Sequence, residues 1–183
     1  MNVKGEKELF EGKEMEEGKE REKEREKERE FRVRPIKNGT VIDHIPAGQA
    51  LNVLKILGVT STTIPMDTII SVVMNVPSHA IGKKDIVKVE NRELKPQEVD
   101  KISLIAPTAT INIIRNFEVS KKYKVSLPEQ IEGIVRCANP SCISNTLEPL
   151  RSKFIVEKRD NRRQLRCLYC ERVMAENIAE HLI

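Results

Sequence analysis

The chain has no tryptophan, and its aromatic residues are four Phe and two Tyr in 183. So sparse a set leaves no platform on which successive bases of a single strand could stack. Glycine is scarce too, at eight residues, and none forms the Gly-rich loop ending in Lys and Ser or Thr that cradles a triphosphate in hydrolases. There are three histidines, and no Ser or Cys motif accompanies them, so no nucleophile with its general base is in view. No apolar run is long enough to span a bilayer, and no charged-then-apolar leader opens the chain. The expectation is a soluble, cytoplasmic protein with no membrane partner.

Charge is abundant and unevenly spread. The first thirty residues hold nine Lys plus Arg and twelve Glu, a local net of −3, so with +4 overall the remainder carries +7. From Glu20 to Glu30, Glu alternates strictly with Arg or Lys. That alternation sets opposite charges at i,i+3 and like charges at i,i+4, and pair energies of roughly a few tenths of a kcal/mol cancel. Residues 1–30 therefore read as a charged, low-complexity extension, disordered or at most marginally helical. The moderately basic remainder favours anionic partners.

Folded sequence begins near Phe31. Phe31–Ile36 alternates apolar and basic residues like a strand, and Lys37–Thr40 supplies turn chemistry. Ala47–Leu57 has helical spacing and Gly58 as its stop. Thr68–Val76 and Asp85–Val89 are β-branched and read as a hairpin-like pair, Pro96 opens a second helix that ends at Pro107, and Ala109–Val119 reads as a strand. The order β-α-β-β-α-β suits an α+β, ferredoxin-like domain over residues 31–124, with Ser120–Ser126 as linker. A small β domain over residues 125–183 follows, with short strands expected at Ile134–Arg136, Phe154–Lys158 and Gln164–Cys167.

That second domain holds all four cysteines. Cys137 and Cys142 have four residues between them, Cys167 and Cys170 have two, and twenty-four separate the pairs. Two short turns can each aim two thiolates at one ion, at roughly 2.3 Å per bond, and together complete a tetrahedron. Four sulfurs leave no open position for an activated water, which points to one structural zinc per chain rather than a catalytic one. Arg136, Arg166 and Arg172 are near enough in sequence to offset the site's negative charge.

Four blocks in order, Gly39-Thr-Val-Ile-Asp-His-Ile-Pro46, Gly82-Lys-Lys-Asp-Ile-Val-Lys-Val-Glu-Asn91, Ala106-Pro-Thr-Ala-Thr110 and Cys137-Ala-Asn-Pro-Ser-Cys142, resemble the regulatory chain of aspartate carbamoyltransferase. The resemblance runs from about Val33 to Cys170. It implies a non-catalytic subunit of pyrimidine biosynthesis that binds the allosteric nucleotides CTP and ATP, and UTP with Mg2+, in its first domain. Its zinc domain would grip a separate catalytic chain, beside the ligands at Asn139, Ser141 and Glu171. Regulatory chains would pair as homodimers and link catalytic trimers in a dodecamer of six catalytic and six regulatory chains. Carried over, Asp43 and His44 contact ribose and phosphates, and Lys88 and Lys122 contact ribose and triphosphate. Val33, Ile36, Ile86, Asn112, Ile114, Phe117 and Val119 line the base and sugar pocket, with backbone groups near Ile36 and Phe117 reading the base, and Lys84 serves a second nucleotide. Arg34 and Pro35 replace an acidic residue and Ala of the family, and Phe117 replaces a frequent Tyr.

Composition offers one other reading. A four-cysteine module with Lys158, Arg159, Arg162, Arg163 and Arg166 could be a nucleic-acid-binding zinc ribbon. The family blocks favour the first reading and no nucleic-acid partner.

Overall fold

The computed structural model describes residues 34–59, 68–146, 149–159 and 162–183. The fold below is that of the compact unit Ile36–Ile183. Residues 1–33, with the charged extension and Val33, lie outside the described residues.

Alternating apolar and polar residues build five strands: β1 (Gly39–Pro46), β2 (Ile70–Ser78), β3 (Gly82–Glu90), β4 (Thr110–Arg115) and β5 (Glu118–Lys124). They form one antiparallel sheet in the order β2-β3-β1-β4-β5. Two helices, α1 (Ala50–Ile56) and α2 (Pro96–Ile105), are the crossovers. Without β5 this is the β-α-β-β-α-β arrangement with the first and third strands central, and β5 extends it at one edge. Ile42, Ile45, Val87, Val89, Ile111 and Ile113 pack with Ala50, Val53, Leu57 and Ile102 in the first core. In β1, β3 and β4 the residues between them, Val41, Asp43, Lys84, Ile86, Lys88 and Asn112, take the other face, because successive side chains alternate.

Each helix end has a local cause. After α1, the Gly58 N–H donates to Lys55 O and the Val59 N–H to Leu54 O, the paired bonds of a glycine-terminated helix, with Gly58 at φ +73°. Arg92 Nη1 donates to Leu57 O at 2.8 Å, satisfying another terminal carbonyl. Pro96 occupies the first turn of α2, and the Glu98 carboxylate accepts the Lys95 N–H at 2.8 Å.

A second sheet, β6 (Gln130–Glu132), β7 (Lys153–Arg159), β8 (Arg162–Cys167) and β9 (Val173–Met174), is antiparallel in that order. Short helix α3 (Ile143–Thr146) and a 3-10 turn at Ile178–His181 accompany it. Its core gathers Ile131, Val135, Phe154, Leu165 and Met174 around Cys137, Cys142 and Cys167. Leu104 of α2 belongs to this core while Ile102, two residues earlier, belongs to the first. Arg163 Nη1 donates to Ser103 O at 3.4 Å, and Lys101 Nζ donates to Ile183 O.

Several expectations from sequence are corrected. Arg34–Ile36 is not a strand, and Phe31–Val33 lie outside the described residues. The first strand is the segment from Gly39, where Gly39 and Thr40 read as a turn. The single strand over Ala109–Val119 is two, because Asn116 and Phe117 adopt positive φ (51° and 69°) in a tight hairpin turn. Ser120–Lys124 is therefore strand, not linker. Helix α1 is shorter than Ala47–Leu57, and Ile134–Arg136 contributes only an isolated bridge, Val135 to Leu182, while Gln130–Glu132 is the strand.

Gly39 pairs with Glu90 at φ +139°, and a Cβ there would lie 2.2 Å from Val89 O. Gly39→Ala should destabilise the chain by about 2–3 kcal/mol in chemical denaturation, with no change in metal content.

Candidate functional site

The described residues hold two arrangements with chemistry. The first is the cysteine cluster. The four Sγ atoms lie within 4.8 Å of one another, with Cys137 to Cys170 at 3.6 Å and Cys142 to Cys167 at 3.8 Å. A tetrahedron with bonds of roughly 2.3 Å has edges of about 3.8 Å, so these spacings fit four ligands of one ion. They are far beyond the roughly 2.05 Å of a disulfide, and all four cysteines are free.

Local hydrogen bonds aim the sulfurs. Asn145 Nδ2 donates to both Cys137 O and Asn139 O at 2.8 Å, and the Cys142 N–H donates to Asn139 O, closing the first turn. In the second, the Glu171 N–H donates to Cys167 O and the Cys167 N–H to Arg172 O, with Glu171 at φ +58°. Burial pushes the Cys137 thiol up to about 12 and raises Cys167 as well. Burial also acts upward on Cys170, but the Arg172 N–H and hydrogen bonds to the Cys137, Asn139 and Cys142 side chains hold it at about 7. Cys170 is thus readier to deprotonate than Cys137 or Cys167, and an incoming cation would displace the remaining protons. Arg166 is not an offset for this charge: its Nε and Nη2 bind the Glu157 carboxylate at 2.7 and 3.0 Å. Arg163 is half-buried against α2, so neither arginine belongs to an open basic patch. The side chains of Lys158, Arg159 and Arg162 lie outside the described residues.

The second arrangement is the face of the five-stranded sheet turned away from the helices. Register places Lys88, Val41, Asn112 and Lys122 side by side on four adjacent strands. Asn112 Nδ2 donates to Val41 O at 3.3 Å. Burial holds Lys88 below the usual lysine range. Next along β1 the register breaks: Ile42 faces Val87, but Ile45 faces Asp85, so Asp43 and His44 form a bulge. There Asp43 pairs with Lys84, with Nζ 2.8 Å from Oδ1, and accepts the His44 N–H at 2.7 Å. His44, at φ +58°, has its Nδ1 buried without a hydrogen bond, 3.3 Å from Asp43 Oδ2. Its carbonyl accepts the Thr108 hydroxyl at 2.8 Å.

Sequence-derived site residues fall as follows. Asp43, Lys84, Ile86, Lys88, Asn112 and Lys122 share this face, as do Ile114 and Val119, which pair across the β4–β5 bulge. Ile36 is buried, and exposed Phe117 sits in the hairpin turn, where its N–H donates to Lys37 O at 2.9 Å and so is already engaged. Val33 lies outside the described residues. Val41, at the centre of the row, was not among the expected residues; alternation counted from Gly39 would have found it.

Comparison with known proteins follows this geometry. The family model described as aspartate carbamoyltransferase regulatory chain, allosteric domain, matches residues 31–126, and that of the same chain's metal binding domain matches residues 129–180. An aspartate carbamoyltransferase regulatory chain of Methanocella arvoryzae is 58% identical over 154 residues, covering 84% of this chain and 97% of that one. Proteins of the same description from Methanothrix thermoacetophila and Methanosarcina barkeri are 61% and 54% identical, each covering 84% of this chain and 97% of its relative.

Cys170→Ser should lose most bound metal and destabilise the β6–β9 module, since metal binding in small sites supplies roughly 10–16 kcal/mol of apparent free energy. Because the ion binds thiolates, retention should fall as pH falls. Metal analysis and circular dichroism across a pH series check both.

Proposed function

Because the chain belongs to the aspartate carbamoyltransferase regulatory-chain family, whose members are regulatory and not catalytic subunits, we propose that it is the nucleotide-responsive arm of that enzyme. In this reading residues 31–124 bind CTP or ATP, and UTP with Mg2+. Residues 125–183 hold zinc and dock on a separate catalytic chain. Pairs of regulatory chains join catalytic trimers into a cytoplasmic dodecamer of six catalytic and six regulatory chains.

The observation that carries the reading is the cross-sheet row. Lys88 and Lys122 flank Asn112 and Val41 on one face, away from the helices. A triphosphate needs point charges spread over several ångströms, which lysines on separate strands supply, and the amide of Asn112 adds a neutral donor and acceptor. Asp43 already neutralises Lys84, which leaves the first nucleotide's phosphates to Lys88 and Lys122 and a ribose hydroxyl to Asp43. Zinc suits the second site because four thiolates at tetrahedral spacing form its closed coordination sphere. A soft ion matched to sulfur also outcompetes Mg2+ there.

Control by such a subunit requires that nucleotide bind the two quaternary states with unequal affinity, since equal affinity shifts nothing. No described helix is long and apolar enough to cross a membrane.

The test is reconstitution with the cognate catalytic chain, with carbamoyl transfer to aspartate measured with and without CTP and ATP. Nucleotides should change the rate only when the regulatory chain is present. Lys122→Ala should weaken CTP and ATP binding about tenfold, or about 1.4 kcal/mol, with metal content unchanged by elemental analysis. Unaltered affinity would remove Lys122 from the site.

A further inference from the structure

Asp85 is fully buried in β3, on the core side, between Lys84 and Ile86 of the proposed nucleotide face. Its Oδ2 accepts the N–H groups of Gly48 at 2.8 Å and Ala50 at 3.1 Å, and its Oδ1 accepts the N–H of Asn75 at 2.9 Å. These donors come from the connection after β1, the first residue of α1, and the middle of β2. Among the described residues no Lys, Arg or His pairs with it. A buried carboxylate without a cation is costly unless backbone dipoles fully replace water, so three amides converging on one side chain make a defined network rather than incidental contact.

What the network holds is visible in the register. Both neighbours of β3 bulge at the level of Asp85: on one side Ile42 faces Val87 and Ile45 faces Asp85, on the other Val73 faces Ile86 and Val76 faces Lys84. Each bulge contains a left-handed residue, His44 at φ +58° and Asn75 at φ +60°. A bulge takes N–H groups out of the ladder, and Asp85 receives the one freed in β2. By binding Gly48 and Ala50 it also fixes the chain that leaves β1 just after the other bulge. Asp43, in the β1 bulge, pairs with Lys84 on the opposite face.

We infer that Asp85 is the positioning residue of the effector face: its carboxylate sets the two bulges, and through them the Asp43–Lys84 pair and the seat of the nucleotide. This rests on the proposed nucleotide-binding role of that face. Asp85 touches no ligand in this scheme; it acts from the core through the backbone.

The experiment uses the full, metal-loaded chain and CTP as probe. Asp85→Asn keeps the size of the side chain but sets an N–H donor against backbone N–H groups. It should melt cooperatively with full metal content yet bind CTP about tenfold more weakly, and in a Lys84→Ala background its effect should shrink below about twofold, the non-additivity of groups acting together. Equal effects in both backgrounds, or wild-type affinity in a folded variant, would overturn the inference. A second readout needs no nucleotide: acylation of Lys84, followed by mass spectrometry, should be faster in Asp85→Asn than in wild type, as in Asp43→Asn. If wild type does not bind CTP, the nucleotide reading fails, and the acylation rates alone then decide whether Asp85 sets the pair; unchanged rates sink it. Should Asp85→Asn not fold, Asn75→Ala strains only the β2 end of the network and should shift both readouts in the same direction, while no shift in either overturns the proposal.

Discussion

Four sulfurs within 4.8 Å of one another are the constraint on which the C-terminal half depends. Uncharged and without a cation, they would be four poor hydrogen-bonding groups in a small core; around one ion they are covalent anchors for two turns distant in sequence. Strands β6 to β9 are two to seven residues long, too short to define a stable sheet by pairing alone. The cluster shares that core with Phe154, Leu165 and Val135, so a bound ion would fix the position of apolar groups as well as of the turns. Through Leu104 the same core reaches α2, and through Ile102 α2 reaches the first core. One helix is thus common to both.

In the five-stranded sheet the two faces divide the labour. On the inner face, the buried residues of β1, β3 and β4 are aliphatic apart from Asp85 and Thr40, each with a backbone partner. The outer face carries lysines, Asp43 and Asn112. Alternation makes these two sets inseparable: slipping β3 by one residue would bury Lys84 and Lys88 and expose Val87 and Val89. The hydrophobic core therefore enforces the arrangement of charge on the far side.

Much of this was legible in the chain itself, because the decisive signals are local. Cysteine spacing gave the metal site, and Pro96, Pro107 and Gly58 gave the helix limits. The ordered blocks around Asp43, Lys88 and Cys137 gave the family. What escaped was set by tertiary context. Gly39-Thr40 looks like a turn and is the start of the central strand, because a glycine is needed where the Val89 carbonyl oxygen of β3 lies 2.2 Å from the place a Cβ would occupy. Asn116-Phe117 looks like strand and is a turn, since Asn tolerates positive φ and Lys37 and Asn38 supply hydrogen bonds to the two residues. Arg166 looked like a counter-charge for the thiolates, but it reaches the Glu157 carboxylate diagonally across the β7–β8 pair. The role of Asp85 could be seen only once register and hydrogen bonds placed it between two bulges.

The two edges of the five-stranded sheet are unlike. β5 presents Lys121, Lys122 and Lys124, charges that discourage a further strand from adding. β2, Ile70-Ser-Val-Val-Met-Asn-Val-Pro-Ser78, has no charged residue, and Val72 and Met74 are exposed. Among the described residues it has a strand neighbour on one side only. An uncharged edge of this length offers its unpaired backbone groups to another strand, and the bulge between Val73 and Val76 together with Pro77 is what interrupts that template.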